Sequence, residues 1–178
     1  MKTPARPRPR ARPADPSSAR AIARYLVGLR PVLTDACAIR AQWVHRLGQL
    51  ISDARSGNVA RVTNGSGALG RDFTSQFRAV RGRIDILMPP PECDLCHASV
   101  RAWAEALQRS CEALEEVGRS GKMGGLRVAQ DRLADARTQA HRFNDEYARL
   151  SQELRQRVAT LRRRRAGVLP NRRQQQPS

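Results

Sequence analysis

Apolar residues recur along this chain at steps of three, four and seven. The first run holds Ile22, Leu26, Leu29, Leu33, Ala36, Trp43, Leu47 and Leu50. That spacing puts one apolar stripe on one face of a helix, and Ser17 or Ser18 is a good N-cap for it. Pro31 lies inside the run, where proline is expected to kink or split a helix. The stretch SGNVARVTNGSG, residues 56–67, is rich in turn residues and reads as a loop. A second helix then carries Leu69, Phe73, Phe77, Val80, Ile84 and Leu87, and Pro89, Pro90 and Pro91 stop it. Pro91 suits the first turn of a third helix, with Glu92 favourable near that helix's positive end. This helix aligns Cys93, Cys96, Val100, Trp103, Leu107, Leu114 and Val117 on one stripe, and GRSGKMGG, residues 118–125, breaks it. The last helix carries Leu126, Ala129, Leu133, Ala136, Ala140, Phe143, Tyr147, Leu150, Leu154 and Leu161, and ends near Gly167 and Pro170. Sustained period-two alternation is absent, so strands are not expected.

Four amphipathic helices with short connections predict an all-α fold. The expected arrangement is an antiparallel up-down four-helix bundle with coiled-coil-like spacing and long first and last helices. Helix lengths of roughly 37, 21, 27 and 45 residues leave the outer two unmatched. Residues 19–34 and 148–165 are then expected to protrude as a two-helix arm. Such an arm buries little and invites a homodimer. The alternative is that Pro31 folds residues 19–30 back onto the bundle. Residues 1–16 alternate proline with arginine and are expected to form a disordered basic arm. Residues 17–167 form the helical bundle, and residues 168–178 a second disordered tail.

Charge sharpens this picture. The chain of 178 residues carries a net charge of +17. Residues 1–20 contribute +5 and residues 155–178 contribute +8, while residues 21–154 contribute only +4. Thirteen of the seventeen charges therefore sit at the chain ends, and the bundle geometry would bring both ends together. All but Lys2 and Lys122 of the 33 basic residues are arginines, a skew that also fits a GC-rich coding sequence. No apolar run approaches the ~20 residues that span a bilayer. The basic start has no apolar segment behind it, so it does not read as a secretory signal. The expected setting is the cytoplasm, where four cysteines stay reduced.

Candidate chemistry centres on Cys93-Asp94-Leu95-Cys96-His97. The C-x-x-C-H spacing is that of c-type haem attachment, but that attachment follows export, and both cysteines fall on the apolar stripe. A metal site would need about four ligands at one point. Cys37, Cys93, Cys96 and His97 are the set that helix levels could bring together, with Cys111 about 22 Å further along. A thiol sensor at a helix N-terminus is a related alternative. The preferred reading is two core cysteines, since free cysteine packs as a small hydrophobe. Trp43 and Trp103 read as core. GSGALG, 65–70, and GKMGG, 121–125, match no phosphate-binding loop. No nucleophile–base pairing suggests catalysis, and no cofactor is expected.

The sequence thus points to a non-enzymatic helical interaction module whose basic end engages an anionic partner, nucleic acid foremost. Arg6, Arg8, Arg10, Arg12, Arg162, Arg163, Arg164 and Arg165 would neutralise phosphates and release counterions. The scarcity of aromatics argues against single-strand stacking. A metal- or redox-sensing thiol bundle and a purely structural dimerising bundle are the alternatives.

Overall fold

The computed structural model describes residues 16–167, with side chains over 17–163. It is all-helical: four helices pack against one another, and no strand occurs among the described residues. Helix α1 runs Pro16–Arg55, α2 Val59–Ile86, α3 Asp94–Ser120 and α4 Gly124–Gly167, with a short 3-10 turn at Pro91–Cys93 before α3. Extensive contacts join α3 to α2 on one side and to α4 on the other, and fewer join α1 to α2 and α4. No helix among the described residues is long and apolar enough to cross a membrane. Residues 1–15 and 168–178, which hold most of the expected basic arm and the expected tail, lie outside the described residues.

Pro31 does not split α1, which stays continuous over 40 residues. The proline is exposed, and its ring removes one helical hydrogen bond, that to the Val27 carbonyl. Val27 is itself 73% exposed, so solvent can reach this part of the helix surface.

The expected loop over 56–67 is corrected. Gly57, at φ +81°, and two flanking residues make the whole turn. Asn58 then caps α2, its side-chain oxygen accepting a hydrogen bond from the Arg61 amide at 3.0 Å. The turn-like residues that follow are helical for a packing reason. A Cβ added at Gly70 would stand 2.4 Å from the Glu115 nitrogen and 2.7 Å from the Cys111 carbonyl oxygen. One added at Gly118 would stand 2.2 Å from the Gly67 Cα. Glycines 67, 70 and 118 thus let the backbones of α2 and α3 touch, which any side chain would prevent. Ser66 and Gly67 are buried in this seam.

The longer α2 changes the levels. Its end now reaches Leu87, whose Cδ2 lies 3.5 Å from where a Gly28 Cβ would be. The start of α3 reaches further still, to Ser18, whose hydroxyl bonds the Glu92 carboxylate. Ile22, Leu26 and Leu29 are therefore not on a protruding arm. They belong to one core with Cys93, Cys96, Val100 and Leu150. What stays open at this end is a smaller α1–α4 groove over Leu154, Val158 and Leu161. Lower in the core, Trp43 is fully buried and its ring centroid lies 5.5 Å from that of Phe73. Trp103 is also buried, so both tryptophans are core as expected.

Candidate functional site

The proline stop delivers Cys93 to the N-cap of α3. Pro90 is extended, Pro91 starts the 3-10 turn, and the Cys93 amide donates to the Pro90 carbonyl at 2.8 Å. Cys96 follows one turn later on the inward face. Both thiols are completely buried, as core cysteines would be. Burial pushes the Cys93 thiol up to about 11, helped by the Glu92 carboxylate. Burial pushes Cys96 up to about 12, helped by Cys93. A thiol held protonated at neutral pH is a weak nucleophile and a weak metal ligand.

The neighbour across the core is Tyr25 of α1, which the sequence gave no reason to single out. Burial raises its phenol well above the ordinary value, and Cys96 and Cys93 add to that. Its Oη lies 3.2 Å from His97 Nδ1. Burial lowers the His97 pKa, with Asp85 pulling the other way. Cys37 is not in this cluster. It lies twelve residues further along α1, about 18 Å away, and is exposed. Among the described residues, no group of three or more His, Cys, Asp or Glu is placed to hold a metal ion.

A polar knot closes the end of the bundle beside the thiols. Arg157 of α4 donates to the Ser18 hydroxyl at 2.7 Å and pairs with Glu153 and, at 3.9 Å, with Glu92. Arg149 donates to the Glu92 carbonyl at 3.3 Å and pairs with Glu146 and Glu153. Here every named guanidinium has a carboxylate.

The α1–α4 seam differs. Near the chain ends it holds a groove of about 480 Å³, floored by Leu154, Val158 and Leu161 and flanked by Arg20 and Arg162. Further down it holds a second groove of about 340 Å³, with Leu33, Trp103 and Phe143 below and Arg40 and Arg137 at the side, next to Cys37 and His141. None of Arg20, Arg40, Arg137 and Arg162 forms an ion pair with a described residue. On the other side of α1 the acids are engaged: Asp35 by Arg83 at 2.7 Å and Asp53 by Arg61 at 3.5 Å.

The arginines singled out from sequence are placed in part. Arg162 and Arg163 are exposed near the end of α4. Arg164 and Arg165 continue the helix, and their side chains lie outside the described residues, as do Arg6, Arg8, Arg10 and Arg12. Arg40 and Arg137 were missed, because the modest net charge of residues 21–154 hides how that charge divides among helix faces, and Arg20 was counted in the basic first segment without being singled out. Compared with known proteins, the chain matches no protein-family model, no curated protein and no solved structure.

Proposed function

We propose that this chain is a non-enzymatic interaction module, an antiparallel up-down four-helix bundle whose basic end binds nucleic acid. The antiparallel order is supported by contacts between the start of one helix and the end of the next: Asp53 with Arg61, Gly67 with Gly118, and Ser110 with the Ala129 carbonyl. The observation that carries the binding reading is the meeting of Ser18 with Arg157. It joins the first turn of α1 to the last turns of α4, so the segments holding thirteen of the seventeen net charges attach at one end. Arg162 and Arg163, exposed and without an ion pair to a described residue, extend that end. Arginines concentrated in this way neutralise phosphates and bind polyanions in a salt-dependent manner with little sequence preference. The cytoplasm is the proposed setting.

Removing residues 1–16, or replacing Arg162 to Arg165 with alanine, tests this. Each change is expected to weaken duplex binding at low salt while the helical circular dichroism of the bundle stays nearly unchanged. An intact protein that binds neither DNA nor RNA duplex at low salt contradicts the proposal.

A further inference from the structure

We infer that the α1–α4 seam is itself a docking surface for duplex nucleic acid, a role that rests on the proposed function and extends it from the basic end down the seam to Arg40 and Arg137. The first observation is a difference between seams. Helix α1 carries six arginines and two acids. Both acids pair with α2, and none of the six arginines forms an ion pair with a described residue. Helix α3, which packs against α2 and α4, is the acidic one, with five acids and three arginines. Helix α3 is thus the one net-acidic helix among the described residues, and the α1–α4 seam, which α3 does not enclose, is bordered by two net-basic helices.

The second observation is a register free of acids. Cys37 in the lower groove and Arg20 and Ala23 in the upper one fix which positions of α1 border the seam. Taken from Arg20 to Arg55 at steps of three and four, those positions include Arg30 and Arg55 and no Asp or Glu. On α4, Arg137, His141 and Asn144 border the lower groove, and Val158 and Arg162 the upper one. Between Arg137 and Arg162 the positions that continue this register include Arg155, which with Val158 and Arg162 borders a further groove. Helix α4 has five acids, and none of them lines either groove. Asp135 shows the pattern: it borders a groove with Glu105 and Arg109 of α3.

The third observation is spacing. Arg20 and Arg162 flank one groove, Arg40 and Arg137 the other. Arg20 and Arg40 are separated by about 30 Å along α1, and Arg137 and Arg162 by about 37 Å along α4. One turn of B-form duplex is about 34–36 Å. The two intervals bracket one duplex turn, so each arginine pair would reach phosphates about one turn from those reached by the other. Binding costs these arginines no ion pair with a described residue, and the contacts position the duplex without reading bases.

The decisive variant is Arg40→Ala/Arg137→Ala in the full chain, since neither residue belongs to the basic end. Arg71→Ala/Arg78→Ala removes the same charge from α2, on residues that border neither groove. The probes are blunt DNA duplexes of ~8 and ~16 base pairs, the shorter being less than one turn. The seam variant should bind the longer duplex about tenfold more weakly near 0.1 M salt, and its log–log salt slope should be shallower by about 1.8, or 0.9 per lost contact. It should also lose much of the affinity gained between the short and long duplexes. The α2 variant should stay within about twofold of the intact protein, because it leaves every inferred contact in place. Arg137→Ala alone, at an exposed position, should give about half the slope change without risk to folding.

If the seam variant binds like the α2 variant, while replacing Arg162 to Arg165 still weakens binding, the seam inference falls and the basic-end reading stands. If the intact protein binds no duplex, both fall. If it binds phosphatidylserine vesicles and no duplex, the seam belongs to a membrane surface and the duplex inference is overturned.

Discussion

Cys93, Cys96 and Cys111 are buried thiols, and burial makes each a weaker acid than free cysteine. Cys37 is the exposed one. Iodoacetamide at neutral pH is therefore expected to modify Cys37 promptly and the other three only after unfolding, as read by mass spectrometry. Prompt modification of a second thiol would contradict their burial. The same shifts set a pH window. The thiols ordinarily titrate near 9 and here at about 11 and 12, so the unfolded chain loses these protons first as pH rises. Their contribution to stability is complete below about 9 and is lost through 11 to 12. Replacing Cys93 and Cys96 with alanine should flatten that alkaline decline in thermal midpoint. It should cost about 1 kcal/mol per site at neutral pH through lost packing.

At the scale of helices, the approach of α2 to α3 depends on the absence of side chains. Gly70→Ala sets a Cβ against the α3 backbone and is expected to lower stability by about 2 kcal/mol, since overpacking here can be relieved only by separating two helices. Gly48→Ala is the opposite case. Nothing lies within 4 Å of its added Cβ, so it should stabilise α1 by about 0.5–1 kcal/mol. Denaturant unfolding of the two variants reads both signs. These glycines also show where sequence reasoning stopped. Stripes such as Phe73–Phe77–Val80–Ile84 and the triple proline at 89–91 made four helices legible. Asn64, Gly65, Ser66 and Gly67 looked like a loop, because their local preference is for turns. Their helical state comes from contact with Gly118 and Leu50, residues distant in sequence. That one shift of α2 moved every level above it, placing Leu26 and Leu29 in the core and replacing Cys37 by Tyr25 as the neighbour of the buried thiols.

For the whole molecule the organising feature is how charge is distributed. Counting along the chain finds the basic ends, and Arg162 and Arg163 there are exposed. It misses the seam, because the acids of α3 and of the α3-facing side of α4 offset arginines that face the other way. Binding through guanidinium groups that form no ion pair with a described residue has one direct signature, the salt dependence of duplex affinity for the intact protein. Arg20, Arg40 and Arg137 at the seam and the arginines of the basic end together predict a log–log slope steeper than about −4, at 0.9 per phosphate contact, with little change between unrelated duplex sequences. A slope near zero, or no binding at low salt, would contradict the account.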